Sequence, residues 1–107
     1  MTTIANAVTA AIEAAKSAEN EFVAKHGYPF YCGFAWIEVY VKRTNSKEAK
    51  ELIAAGFEKS YMPRTLSMWN PGGSSTQSMD VKETGCHAAA KVLREAGLNA
   101  HACSRAD

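Results

Sequence analysis

The side chains with chemistry to offer are three cysteines, three histidines and a scatter of carboxylates. Cys32, Cys86, Cys103, His26, His87 and His101 are the candidate metal ligands. His101 and Cys103 are two residues apart in an alternating segment, so they share one side of a strand. Cys86 and His87 are consecutive in a helical segment and diverge by about 100°. Cys86 and His87 therefore cannot both join His101 and Cys103, and structural zinc sites use tighter pairs. No metal and no cofactor is therefore expected. Glu83, His87 and Lys91 follow i, i+4 spacing, and a carboxylate there could tune an imidazole. No nucleophile or oxyanion site accompanies them, and exposed helices carry such charge pairs routinely. Nothing near Cys32 in sequence would depress its thiol pKa. No catalytic residue is assigned, and the chain reads as leaning away from an enzyme.

A second candidate is the stretch Gly72-Gly73-Ser74-Ser75-Thr76-Gln77-Ser78. Glycines, hydroxyls and free helix amides can cradle a phosphate, which makes Gly72, Gly73, Ser74, Ser75, Gln77 and Ser78 a possible anion or ligand loop. The Gly-Lys-Ser/Thr of a Walker loop is missing. Asp80, just inside the following helix, already meets the helix dipole and opposes an anion. A plain connecting loop is the simpler reading.

The strongest pattern is aromatic. Gly33–Lys42 is β-branched and aromatic with no breaker inside, so it forms a strand. Ala35, Ile37, Val39 and Val41 make one face; Phe34, Trp36 and Tyr40, interrupted by Glu38, make the other. Arg64–Asn70 forms a second strand whose Trp69 can join that aromatic side. Three occupants suit such a surface. The N-terminal helix could fold back over it; a protein partner or second copy could dock on it; or bases could stack on it, as on RNA-recognition motifs. Base stacking is weakened by Glu38, which repels phosphate, and by a strand of one aromatic and one basic residue where the basic-Gly-aromatic octapeptide would stand.

The elements that must carry this face follow from periodicity. A long first helix runs from a Thr2 or Thr3 cap to about Lys25, with Ile4, Val8, Ile12, Ala15, Phe22 and Val23 as its apolar stripe and Glu13, Lys16, Glu19 and Glu21 mostly elsewhere. Gly27 and Pro29 end it. Asn45 with Glu48 reads as a capping box for a helix that buries Ala49, Leu52 and Ile53 and stops at Gly56. Phe57–Met62 is a short strand paired through Pro63 with Arg64–Asn70. Ser78 caps a last helix, Met79 to Ala96, burying Val81, Gly85, Ala88, Ala89, Val92 and Ala96. Asn99–Ser104 is a final edge strand. The expected fold is α+β: one domain, residues 1–107, with a ferredoxin-like βαββαβ core (33–105) on a four-stranded antiparallel sheet and an additional N-terminal helix (1–27). The first and third strands are then central, and Trp36 and Trp69 are neighbours opposite the two core helices.

Composition limits the partners. The formal net charge is +1 over 107 residues, which lacks the basic excess of a non-specific nucleic-acid binder. Three cysteines without a CxxC pair indicate free thiols in a reducing, cytoplasmic setting. The alanine-rich start has no basic flank of a signal peptide, and no apolar run is long enough to span a bilayer, so no membrane partner is expected.

Cys32-Gly-Phe-Ala-Trp-Ile-Glu38 and Trp69-Asn-Pro71, with Gln77-Ser-Met-Asp-Val-Lys-Glu83, resemble short uncharacterised proteins encoded by bacteriophages and prophages. The resemblance covers most of the chain after Tyr31. It implies an accessory, host-modulating role exerted by binding a macromolecule, and supplies no site residues. The expected function is a non-enzymatic protein-binding module that self-associates as a homodimer through Phe34, Trp36, Tyr40 and Trp69 or through the first helix. A single-stranded nucleic-acid platform is the alternative, and a small enzyme or phosphate binder using the Gly72–Ser78 loop is a further one.

Overall fold

Local signals set most element ends. A computed structural model describes residues 3–27, 33–73 and 78–106. Helix α1 (Ile4–His26) begins where the Thr3 hydroxyl accepts a hydrogen bond from the Asn6 amide at 3.1 Å, and ends at Gly27, whose φ of 70° suits a residue without a Cβ. Strand β1 (Gly33–Tyr40) follows. Helix α2 (Lys47–Ala54) is capped by Ser46, not Asn45: the Ser46 hydroxyl accepts from the Ala49 amide at 3.2 Å, so the expected box slips by one residue. Strand β2 shrinks to Glu58–Lys59. Phe57 is drawn into the core instead, and beyond Lys59 the chain turns at once, with the Ser60 amide bonded to the Thr65 carbonyl. Strand β3 (Thr65–Trp69) lies between Arg64 and Asn70, both with positive φ. Helix α3 (Met79–Glu95) starts after Ser78, and strand β4 (Asn99–Ala106) runs two residues further than Ser104.

The strands form one sheet in the order β2-β3-β1-β4, every neighbouring pair antiparallel. β1 and β3 are therefore the inner strands. Ala35, Ile37 and Val39 are buried, while the alternate residues are half-buried or exposed. The buried row joins Leu66, Ala100, Leu52, Phe57, Ala89 and Leu93 in a single core. Full burial of each larger side chain there contributes roughly 1.5–3 kcal/mol relative to exposure.

Helix α1 belongs to this core. Ala7, Val8, Ala11 and Ala15 are buried in the same cluster, with Ile4 and Ile12 packed against it. The helix lies chiefly along α3 and also touches α2. Small residues on both sides, including Gly85 and Ala89 of α3, let the backbones approach closely. All three helices thus share one face of the sheet. The fold-back of α1 over the aromatic face, one of the three arrangements open to the sequence, does not occur.

Two helix faces turn differently from expectation. Ala49 and Leu52 are buried as expected, but Ile53 is exposed. In α3 the fully buried set includes Cys86, Ala90 and Leu93, whereas Ala96 is exposed, so the buried stripe is wider than expected and ends earlier.

Gly33 is fixed by close approach. A Cβ there would lie 2.7 Å from the Arg105 carbonyl oxygen and 2.6 Å from Met79 Sδ. The backbone oxygen cannot yield without disturbing the β1–β4 ladder. Gly33→Ala is expected to destabilise the fold by about 1–3 kcal/mol, read from urea denaturation.

Candidate binding surface

The face opposite the helices is built by register. β1 presents Phe34, Trp36, Glu38 and Tyr40, because a strand alternates. Antiparallel pairing sets Trp69 opposite Trp36 and Ser67 opposite Glu38 on one side. It sets Arg105, Cys103, His101 and Asn99 opposite Phe34, Trp36, Glu38 and Tyr40 on the other. Cross-strand partners point to the same face. At the sheet edge, Glu58 pairs with Ser67, so Glu38, Ser67 and Glu58 form a row across three strands.

The aromatic side chains touch in sequence. Trp36 and Trp69 stack with ring centroids 4.7 Å apart at 25°, and Phe34 meets Trp69 edge-on at 6.2 Å and 72°. Both geometries suit the ring quadrupole. Two cations flank Phe34: Lys82 Nζ lies 5.5 Å and the Arg105 guanidinium 5.9 Å from its centroid. Lys82 is also anchored by donating to the Gly33 carbonyl at 3.2 Å. At the other end, Tyr40 packs on His101 at 5.3 Å. Among these residues Trp69 is 53% exposed, Phe34 38% and Tyr40 37%. Tyr61, just beyond β2, is 97% exposed. These rings contact one another and stay partly uncovered.

Glu38 holds the centre of that row. Its Oε2 accepts from Trp36 Nε1 at 2.9 Å and its Oε1 accepts from the Tyr40 hydroxyl at 3.1 Å. The Tyr40 pKa is raised, first by that bond and then by burial and the Glu38 charge. The Cys103 thiol is raised too, first by burial and then by Glu38. The carboxylate therefore orients both rings along β1 and keeps negative charge in mid-surface. Beside it, Trp36, Glu38, Glu58, Tyr61, Ser67 and Trp69 line a groove of about 240 Å³.

Phe34, Trp36, Tyr40 and Trp69, the four residues the sequence singles out, are thus all on one face. The Gly72–Ser78 stretch is different. Ser74, Ser75, Thr76 and Gln77, like Cys32, lie outside the described residues. Gly73 has φ 70° and Ser78 is buried without making a side-chain cap bond to α3. The Cα of Gly72 is covered by the carboxyl of Glu19, which a Cβ at Gly72 would strike. Glu19 thus fills the space beside this glycine. Among the described residues no three His, Cys, Asp or Glu side chains gather to hold a metal ion. Cys86 is buried in the core, while His101 and Cys103 are on the open face. No hydrogen bond or ion pair joins Glu83, His87 and Lys91 among the described residues.

Glu19 is the residue that sequence reasoning misplaced. It is only 4% exposed, held between Gly72 and Gly85, and its Oε2 has no hydrogen-bond partner among the described residues. Burial pushes its pKa from 4.5 up to about 7, against the pull of Lys82. The clue was spacing: Ala7, Ala11, Ala15 and Glu19 follow one another by four, down one ridge of α1. Comparison with protein-family models, curated proteins and solved structures finds no match. No helix among the described residues is long and apolar enough to cross a membrane.

Two measurements check this geometry. A carboxyl whose folded pKa exceeds its unfolded one holds a proton that the unfolded chain has lost, so stability falls as pH rises from about 4.5 to about 7 and stays low above. Glu19→Gln should remove that slope and raise stability at pH near 8 by roughly 1–2 kcal/mol, allowing for solvent screening. Glu38→Gln should lower the Tyr40 pKa toward the ordinary phenol value, read by titrating tyrosinate absorbance; an unchanged titration would show that Glu38 does not bind the hydroxyl in solution.

Proposed function

We propose that this chain is a non-enzymatic protein-binding module that self-associates through the open face of its sheet. Its core is read as a ferredoxin-like βαββαβ unit with an added N-terminal helix, since β1 and β3 are the inner strands of an antiparallel sheet. The observation that carries the proposal is the exposed aromatic row from Phe34 through Trp69 and Trp36 to Tyr40, left bare while all three helices pack on the other side. The alternative assembly element, α1, spends its apolar stripe inside its own chain. Strands of eight, eight, five and two residues, with the exposed Tyr61 beside them, give a face of roughly 400 Å² per copy, the size of a small interface. The resemblance to short phage and prophage proteins adds the context of a cytoplasmic accessory protein that modulates a host by binding.

Base stacking fits the same face less well. Trp36 and Trp69 already use a ring face on each other, and Glu38 faces the space a phosphate backbone would occupy. Light scattering on the full chain is expected to give a dimer mass, and Trp69→Ser to give a folded monomer, because Trp69 is the most exposed ring of the row. A monomeric wild type at high concentration would overturn the proposal. Salt-dependent binding of a mixed-sequence single strand with quenched tryptophan fluorescence would replace it with the nucleic-acid reading.

A further inference from the structure

The open face is charged unevenly. Around Phe34 it is basic, with Lys82 and Arg105 against the ring. Four residues further along β1 it is acidic, because Glu38 and Glu58 stand on either side of Ser67 in one row across the sheet. Adjacent strands are about 4.8 Å apart, which sets the two glutamate backbones roughly 10 Å from each other. A guanidinium above Ser67 fits between their carboxylates. The Glu38 carboxylate, with about four lone-pair sites, accepts from Trp36, Tyr40 and the Cys103 thiol and keeps one site for such a donor. Trp69, two residues from Ser67 on the same face, and the exposed Tyr61 supply aromatic walls to the same slot. Lys59 lines the same groove but is outnumbered by the two carboxylates, so the slot is suited to a planar cation by net charge, hydrogen bonding and stacking together.

Its complement is present on the same surface. Arg105 and Ser67 lie on opposite sides of Trp36: Arg105 is one strand away and two residues back, Ser67 one strand away and two residues on. A two-fold axis lying in the interface over Trp36, diagonal to the strands, therefore exchanges them. Two copies related in this way each lay Arg105 above the Ser67 of the other. The same rotation brings Phe34 of each copy onto the Trp69 region of the other and Trp36 onto Trp36. The strands of the two sheets cross at a steep angle, roughly 70°, close to the orthogonal class of sheet packing.

We infer that the occupant of this face is a second copy of the chain, with Arg105 of each copy seated between Glu38 and Glu58 of the other. This rests on the self-association proposed above and gives it a register and a partner. An isologous interface needs a self-complementary patch. Here an arginine and its receptor slot lie at equal distances on either side of one tryptophan. Lys82, held by the Gly33 carbonyl beside Phe34, adds positive charge to the same end and reinforces the pairing.

Charge reversal with mixing tests the inference. Arg105→Glu puts a third carboxylate against the slot, and Glu58→Arg puts a guanidinium opposite Arg105; both residues are exposed, so both variants should fold. Each alone is expected to weaken the dimer by about tenfold or more, with circular dichroism unchanged. Mixed in equal amounts they should form heterodimers well above the statistical share in native mass spectrometry. In the mixed dimer the remaining Arg105 meets the intact Glu38–Glu58 slot, and the introduced carboxylate meets the introduced guanidinium. A wild-type dimer whose affinity is indifferent to both reversals, or whose variants mix statistically, would overturn this register while leaving self-association intact. A wild type that is monomeric throughout would remove the self-association reading itself.

Discussion

The close approach of α1 to α3 is the constraint on which the rest depends. Alanines at positions 7, 11 and 15 face an α3 surface that includes Gly85 and Ala89, so the two backbones can meet with little side chain between them. A helix of bulkier residues would have needed a wider groove, and the broad aromatic face of the sheet was the other apolar surface on offer. Docking α1 on α3 instead adds it to the helical layer on one side of the sheet. It leaves the other without a layer of its own. Exposure of the aromatic row is thus a consequence of packing elsewhere.

An uncovered face that carries four aromatic side chains has to be kept ordered by its own contacts. Glu38 does much of this. By accepting from an indole and a phenol on the same strand, it fixes two rings along β1, while Trp69 fixes a third across the strand boundary. The arrangement is preorganised, so little side-chain entropy remains to be lost when something docks. The carboxylate also selects among occupants. It disfavours a polyanion and favours a surface bearing cations and rings, which this same face possesses.

Much of this was legible in the chain. Period-two alternation in β1 separates Ala35, Ile37 and Val39 from Phe34, Trp36 and Tyr40 without ambiguity, since a strand has only two faces. The neighbourhood of Trp36 and Trp69 followed once the order of elements was read. The docking side of α1 did not follow, because a stripe of Ala, Val and Ile can cover either surface. What decided it was size matching between two helices far apart in sequence, which periodicity within one helix does not report. Glu19 was misplaced for a related reason: residue type outweighed its position on the Ala7–Ala11–Ala15 ridge. Its burial also needs the absence of side chains at Gly72 and Gly85, two positions remote from it along the chain. The short β2 was overestimated because Phe57 has strand character by type but is claimed by the core.

The two described thiols stand on opposite sides of the sheet. Cys86 is fully buried in the core, and burial pushes its pKa up to about 12; Cys103 sits half-buried among the rings of the open face. A thiol reagent can reach Cys86 only when the packing around α3 opens, so its labelling rate measures the free energy of that local opening. Cys103 is shielded instead by whatever settles on the aromatic row. One small chain therefore carries separate internal gauges for the cohesion of its helical layer and for the occupancy of its bare one.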